Sequence, residues 1–359
     1  AQAETGLRAD AAEALYQVAV QHHRDGELRL LAEAIQRLRT EFPNAELLSD
    51  PSRSPSITEL EAAVADLGGK LVVRLDGQGD HTTIQAAIDA APDNTLIEIA
   101  DRGPYNESLR IPSNKSGLTV QGAAGIWPLI TSAGPVQNFP TLLSVEADGT
   151  TIERLILVHA APGGDPKRCL SVTGKLRMRS CFAQMPIQAG TEGIRGLEQG
   201  IYIGHGNRAA CAIEDSILYA NTTVLASQLT MTNCVLLGEE VRLAATGCEF
   251  TNVTATARIV LLGGSNVFQK SILNLIGSSR PGNRIESCNV AGYLDKATPG
   301  AGCTTHVVQF RAPMEFDFRQ LGERRRPPAG GDWGCDYTPE MVELTRALAE
   351  HGIRPNLSR

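Results

Sequence analysis

The stretch from Leu71 to Ser132 constrains the fold more than any other part of the chain. It opens with an apolar run, Leu71-Val72-Val73-Arg74-Leu75, and turns at Asp76-Gly77-Gln78-Gly79-Asp80. Next, Ile84, Ala87, Ile88 and Ala91 recur at i, i+3, i+4 and i+7, a single apolar stripe that predicts a short helix. Thr82 or Thr83 caps its start, and Pro92 with Asp93-Asn94 stops it. A β-rich run follows at Thr95-Leu96-Ile97-Glu98-Ile99, then a turn at Gly103-Pro104 and a strand at Leu118-Thr119-Val120. The entrance of a parallel β-solenoid needs this arrangement. Its first coil exposes an apolar end, and a helix laid across that end excludes water.

Downstream the strands continue with a weak repeat. Ile152-Glu-Arg-Leu-Ile-Leu, Met178-Arg-Ser-Cys-Phe-Ala, Ile213-Glu-Asp-Ser-Ile-Leu, Met231-Thr-Asn-Cys-Val-Leu, Ala245-Thr-Gly-Cys-Glu-Phe and Ile285-Glu-Ser-Cys-Asn-Val share one pattern. An apolar residue comes first, two mostly polar or small residues follow, then a small or apolar one. The intervals are uneven, as expected when stacking fixes the strands and the loops vary. The segment from Met185 to Gly200 is the predicted loop overhanging a cleft. The alignment puts Cys181, Cys234, Cys248 and Cys288 in one place, beside Leu155 and Ser216, which predicts an inward ladder. Cys169, Cys211, Cys303 and Cys335 lie outside it. The eight cysteines form no CxxC pair and have no His at zinc spacing, so they read as buried free thiols acting as small hydrophobes.

Before the solenoid, Asp10-x-x-Glu13 resembles a capping box, with Leu15, Val18 and Ala19 as a stripe ending before Gly26. A second helix carries Leu28, Leu31, Ile35, Leu38 and Phe42 and stops at Pro43. This hairpin resembles one tetratricopeptide unit, which cannot bury its own face. It is expected to pack on the solenoid or to end a helical array. Ser49 to Pro55 is a linker by composition. Ser56-x-x-Glu59 opens a third helix with Ile57, Leu60, Val64 and Leu67, closed by Gly68-Gly69. At the other end, Arg324-Arg325-Arg326-Pro327-Pro328 is a basic connection. Thr338, Pro339 and Glu340 then start a last helix with Met341, Leu344 and Leu348, ended by Gly352 and expected to cover the far end of the solenoid or its flank.

Composition sets limits. Gly makes up 35 of 359 residues, above the usual ~7%, as a chain that turns often requires. Aromatic content is 4% with two Trp, thin for gripping sugars by stacking. A net charge of −7 leaves no broad basic field for nucleic acid or acidic lipid. No apolar run approaches the ~18 residues of a membrane span. The first residue is Ala1 rather than Met, which reads as a processed form or a fragment.

Gly77-x-Gly79, Thr83-Ile84-Gln85-x-Ala87-Ile88, Ala91-Pro92, Tyr105-x-Glu107 and Leu118-Thr119-Val120-Gln121-Gly122 resemble the opening of pectin methylesterases. They also resemble the wider group of right-handed parallel β-helix proteins of the pectin-lyase type. The resemblance covers about sixty residues well and specifies the fold better than the reaction. It implies two aspartates, an arginine and glutamines on neighbouring coils, one aspartate acting as nucleophile and the other as acid/base. The family's Asp-Phe-Ile-Phe-Gly and Leu-Gly-Arg-Pro-Trp motifs are missing here, and Gln188-Ala189 resembles only a fragment of its glutamine motif. Esterase activity is therefore not transferred. Arg280-Pro281-Gly282-Asn283-Arg284 resembles the lyases' Arg-x-Pro-x-x-Arg but is one residue short, which turns a β-segment's side chains to the other face.

The densest polar group is Tyr202, His205, Asn207, Arg208, Glu214 and Asp215, preceded by Arg195 and Glu198. If adjacent coils converge, His205, Arg208, Glu214 and Asp215 are the candidate catalytic residues, an acid/base set with a cationic anchor. Gln188, Arg195, Glu198, Tyr202 and Asn207 are the candidate substrate-binding residues. Glu153 and Glu286 share the repeat position of Glu214, an acidic stripe able to bind Ca²⁺; no other cofactor is expected. The Gly77-x-Gly79 turn mimics a dinucleotide-binding start but has Thr82 for the third Gly and no further βαβ unit. The seven histidines are scattered, without a metal pattern.

The expected fold is all-β, a right-handed parallel β-helix (solenoid) over residues 71–318. A helical hairpin precedes it at 1–48, then a linker and short helix at 49–70, and a C-terminal extension with a capping helix occupies 319–359. Three functions fit. The preferred reading is a recognition module for a polysaccharide or a glycan-bearing protein partner. A polyuronate-active esterase or lyase with a diverged site is the second. The third is an interaction or sensor region of a larger intracellular bacterial protein. Free thiols lean towards a reducing compartment and the family resemblance towards secretion. Oligomeric state is left open.

Overall fold

The computed structural model describes residues 2–25, 28–65, 67–132, 141–159, 168–185, 200–204, 210–225, 228–295, 297–305, 310–320 and 334–354. Its centre is a stack of parallel strands. The first face is a sheet of ten, from Lys70–Val73 to Arg284–Glu286, each pairing with the equivalent strand of the next coil. Second-face strands run from Tyr105–Asn106 through Phe182–Gln184 to Val235–Leu237, and third-face strands from Leu109–Ile111 through Gly200–Ile203 to Glu240–Leu243. In the last coils Thr254–Leu261, Ile272–Ser278 and Asn289–Asp295 run through both columns, so the second and third faces merge into one sheet. Chain order alternates among the three columns while every pairing within a column is parallel. That topology defines a parallel β-helix.

Period-two alternation makes the core. Along the first face Ile97, Val120, Ile152, Met178, Ile213, Met231, Phe250, Phe268 and Ile285 stack inward on consecutive coils, and all are buried. Phe250 and Phe268 stack face to face at 4.4 Å between ring centroids. Two residues past each of these, from Ile152 on, the chain turns a sharp corner. Arg154, Ser180, Asp215, Asn233, Asn252, Lys270 and Ser287 all have φ between +47° and +61°. This left-handed conformation explains the polar or small residues in the third place of the repeat.

The cysteine ladder needs a correction. Cys181, Cys234 and Cys288 do follow the corner and share a column with Leu155, Ser216, Val253 and Ser271. Cys248 does not: it precedes the strand Glu249–Thr251, and its backbone N–H donates to Asn266 Oδ1 (2.9 Å). The repeat unit there begins at Phe250 rather than Ala245, and Phe268 begins another. Ile213, Met231, Phe250, Phe268 and Ile285 then follow at 18, 19, 18 and 17 residues, a far more regular spiral than the uneven intervals implied.

The lid is present at α4 (Ile84–Ala90), with Ile84, Ala87 and Ile88 fully buried in the solenoid core; it follows α1 (Gln2–Asp25), α2 (Leu28–Glu41) and α3 (Ile57–Ala65) in the chain. Thr83 caps α4 through Ala86 N–H, and the Glu107 carboxylate accepts from Ile84 N–H (2.9 Å) and Gln85 N–H (3.0 Å). The Gln85 amide accepts from Arg110 N–H (2.8 Å) and donates to Arg110 O (3.1 Å), satisfying the edge of the first third-face strand.

Helices α1, α2 and α3 share a second core of Ala12, Tyr16, Ala19, Val20, Leu31, Ala34, Ile35, Leu38, Leu47, Ile57 and Leu60. Helix α1 starts at Gln2, so Asp10-x-x-Glu13 is mid-helix rather than a cap, and Val18 is exposed on the side away from the buried stripe. The capping box of α3 forms as expected: Ser56 N–H donates to Glu59 Oε2 (2.6 Å) and Glu59 N–H to Ser56 Oγ (3.2 Å). Arg29 of α2 ties the helices to the first coils, donating from Nη2 to the carbonyls of Gly68 (3.1 Å), Gly69 (3.3 Å) and Asn94 (3.1 Å).

The parallel strands end at Asp295, with a last bridge from Asn289 to Thr304, so Phe318 is not part of a coil. Phe310–Ala312 and Asp317–Gln320 instead form an antiparallel hairpin whose Phe316 packs edge-on against Phe182 of the second face. The chain then returns along the corner column. Gly334 N–H donates to Lys270 O, Asp336 N–H to Asn233 Oδ1, and Thr338 Oγ1 to Asp215 Oδ1. Helix α5 (Pro339–Glu350) buries Met341, Leu344 and Leu348 against Trp127, Ile156, Phe182 and Ile217. It covers the flank, not the far end. Among the described residues no helix is long and apolar enough to cross a membrane.

Candidate functional site

Of the residues singled out from the sequence, Gln188, Arg195, Glu198, His205, Asn207 and Arg208 lie outside the described residues. Tyr202, Glu214 and Asp215 lie within them, and the fold separates them. Tyr202 belongs to the third-face strand Gly200–Ile203, whereas Glu214 ends the first-face strand Ala210–Glu214. Glu214 accepts both its hydrogen bonds from Arg177 Nη2, at 3.0 and 3.1 Å. Asp215 is the next corner residue, where Oδ1 accepts from Asn233 Nδ2 (2.9 Å) and Thr338 Oγ1 (3.3 Å). The two carboxylates thus sit in separate hydrogen-bond systems, one on a face and one fastening the C-terminal segment. As a pair they do not converge on one reacting atom.

Glu153, Glu214 and Glu286 do share one outward row of the first face. The row reads Glu98, Gln121, Glu153, Arg179, Glu214, Thr232, Thr251, Gln269, Glu286. With strands ~4.8 Å apart, Glu153 and Glu214 are ~10 Å apart with Arg179 between them, and Glu286 is ~19 Å beyond Glu214. Arg154 pairs with Glu153 and Arg284 lies 3.7 Å from Glu286. No group of three metal-type ligands occurs among the described residues. Arg280 to Arg284 forms the turn between the third and first faces. Asn283 anchors it, donating to Gly263 O (3.0 Å) and Ser278 Oγ (2.9 Å), while Arg280 and Arg284 are exposed.

Of the outward row of the third face, the sequence singled out only Tyr202. Arg110, Ser144, Ser171, Tyr202, Thr223 and Arg242 occupy it on six successive coils. The Arg168 guanidinium lies over the Tyr202 ring, 4.0 Å from its centroid. Ser171, Tyr202 and Thr223 are 8%, 5% and 9% exposed, so this stretch is buried on its outward side as well as its inward one. Carboxylates flank the row, each held by arginine. Arg110 donates to both Glu146 oxygens (2.7 and 2.9 Å), keeping that carboxyl below its usual range. Glu240 pairs with Arg242 and, at 2.7 Å, with Arg258. The row was hidden because the intervals between its strands vary, so no local pattern marks Ser144, Ser171, Tyr202 and Thr223 as neighbours.

No known family profile matches the chain. A probable pectinesterase of Arabidopsis thaliana is 31% identical over 99 residues, covering 26% of this chain and 29% of the relative. Pectinesterase 1 of Solanum lycopersicum is 35% identical over 66 residues, covering 18% and 12%. The solenoid opens like a pectinesterase. The chain spans less than a third of the length of these relatives. Among solved structures, a pectin methylesterase from Aspergillus niger aligns with a TM-score of 0.43 at 13% identity over 68% of this chain and 92% of that one. One from carrot aligns with a TM-score of 0.39 at 12% identity over 66% and 88%.

Proposed function

We propose that the third face is a recognition surface for a polysaccharide, acting without hydrolysis. The observation that carries this reading is the outward row of the third face, whose accessible members are Arg110 and the half-buried Ser144 and Arg242, with the half-buried Arg168 guanidinium over the Tyr202 ring; Ser171, Tyr202 and Thr223 are buried and shape the row between them. Ester cleavage of the kind the resemblance implies uses two carboxylates on such a face, one to attack and one to move the proton. Here the described row from Arg110 to Arg242 contains no carboxylate, and the flanking Glu146 and Glu240 are ion-paired. A run of hydroxyl and guanidinium donors suits a polymer bearing acidic or hydroxyl groups.

The short pectinesterase matches favour one alternative, turnover of methylated polyuronate at a diverged site. A single set of assays decides between them. Affinity electrophoresis and a glycan array are run on the wild type and on Arg168→Ala, alongside methanol release from methylated pectin. Binding without methanol release, weakened about tenfold in Arg168→Ala, is the expected result. Methanol release by the wild type overturns the recognition reading, as does failure to bind any glycan.

A further inference from the structure

A second polar surface lies on the first face of the solenoid, beneath the helices. Helix α2 turns Leu31, Ala34, Ile35 and Leu38 into the helical core. Arg29, Glu33 and Gln36, at i, i+4 and i+7, form another stripe of the same helix. This stripe lines a cleft of about 200 Å³ whose opposite wall is the outward side of the first face. Thr119 pairs in register with Thr151, and Gln121 with Glu153, so the four make a two-by-two grid on adjacent coils. Neighbours in that grid stand ~4.8 Å apart across strands and ~6.7 Å along them.

The helix does not pack onto this grid; it stands over it. At about 200 Å³ the cleft is well beyond a single buried solvent site, which needs only ~10–15 Å³ on the same measure. Arg29 Nε is buried and has no hydrogen-bond partner among the described residues, although Nη2 of the same side chain holds three carbonyls. Burial pushes the Arg29 pKa down, a sign that this guanidinium is partly stripped of water. The walls mix donors and acceptors of every kind: hydroxyls, amides, a guanidinium and carboxylates, edged by Leu28, Leu67 and Leu96. Arg29 balances Glu33 across the roof, and Arg154 balances Glu153 on the floor.

We infer that this cleft binds one small neutral polyol, about the size of a single sugar ring. Closely spaced hydroxyls of such a ring both give and take hydrogen bonds, which matches paired amides and carboxylates facing hydroxyls. A charged ligand would disturb a balance already reached, and an apolar one would strand the polar walls. The bound molecule would bridge α2 to the first face beside the Arg29 contact. This site does not depend on the third-face reading.

The test is titration calorimetry and thermal shift on the full chain with D-glucose, D-galactose, D-xylose and myo-inositol, and with sodium acetate as a charged control. Gln121→Leu and Gln36→Leu remove one amide from the floor and one from the roof, and circular dichroism with the unliganded melting temperature confirms their folding. The expected result is saturable binding of at least one polyol by the wild type, about tenfold weaker in each variant. Hydrogen exchange in α2 should slow on binding. Absence of saturable binding across the four polyols overturns the inference, as does unchanged affinity in both variants. Polysaccharide binding lost in Arg168→Ala, together with no saturable polyol binding by the wild type, would leave the third-face reading standing alone.

Discussion

The column after each corner makes a prediction about which cysteines serine can replace. Cys181 Sγ donates to Arg179 O (3.1 Å) and accepts from Leu155 N–H of the preceding coil (3.5 Å), while Cys181 N–H donates to Ser216 Oγ of the following one (3.1 Å). Ser216 and Ser271 do the same work as Cys181. Ser216 Oγ donates to Glu214 O (2.7 Å), and Ser271 Oγ donates to Gln269 O (2.8 Å) and accepts from Val253 N–H (3.1 Å). Cys181→Ser therefore keeps the Arg179, Leu155 and Ser216 partners, gives up only the long 3.8 Å contact to Ile152 O, and should change stability by no more than about 0.5 kcal/mol. Cys181→Ala removes the acceptor of a buried backbone N–H and should cost about 1–3 kcal/mol. Cys211 is the contrast: it stacks between Leu176 and Leu229 and has no hydrogen-bond partner among the described residues. Cys211→Ser buries a hydroxyl without a partner, a loss of about 1–3 kcal/mol. Urea denaturation midpoints for the three variants, compared at constant m-value, measure the order. The column has no hydrogen-bonding role if Cys181→Ser falls as far as Cys181→Ala while Cys211→Ser is tolerated.

Two further outcomes follow from the same geometry. Asp215→Ala should free the start of α5, raising hydrogen exchange and protease cleavage there at a local loss of about 1–3 kcal/mol, with glycan binding unchanged; loss of binding with α5 still protected would make Asp215 a site residue. Burial pushes the thiols of Cys169, Cys181, Cys211, Cys234 and Cys288 up to about 12. Because these folded values lie above the unfolded one, their contribution is complete below about pH 8.5 and is lost as pH rises towards 12, by about 1.4 kcal/mol per thiol per pH unit. Denaturation midpoints measured from pH 8 to 11 should fall steeply, and a flat profile would contradict it.

Much of the architecture was legible because its signals are local. The stripe Ile84, Ala87, Ile88 and Ala91 specifies a helix wherever it lies, and its fully buried face packs into the core of the first coils. The corner also leaves a trace, since a left-handed residue tolerates Asn, Asp or Ser more readily than a branched side chain. Register is another matter. Ala245-Thr-Gly-Cys248 imitates the repeat unit, and only the pairing of Thr230 with Glu249 shows that Phe250 takes the inward place. Ser144, Ser171, Tyr202 and Thr223 become one row only after three loops of unequal length have closed. Glu214 and Asp215 looked like a pair because they are adjacent in sequence. At a corner, adjacency divides neighbours between two surfaces.

That division also explains why the resemblance reads the fold and not the reaction. Within its motifs, Thr83 and Glu107 cap α4, Gln85 seals the edge of a strand, and Ala87 and Ile88 fill the first coil. Each is fixed by the problem of ending a parallel β-helix without exposed apolar surface or unpaired backbone. Any solenoid with this entrance must solve that problem, whatever its outer faces touch. Outward residues that no helix covers are released from that constraint, and the coil leaves them free to change: inward side chains such as Ile213 and Met231 hold the register, while Ala212 and Thr230 beside them could be exchanged without moving a strand. A shared lid therefore carries weight for architecture. Chemistry has to be read from the third face and the α2 cleft, where the described side chains are this chain's own.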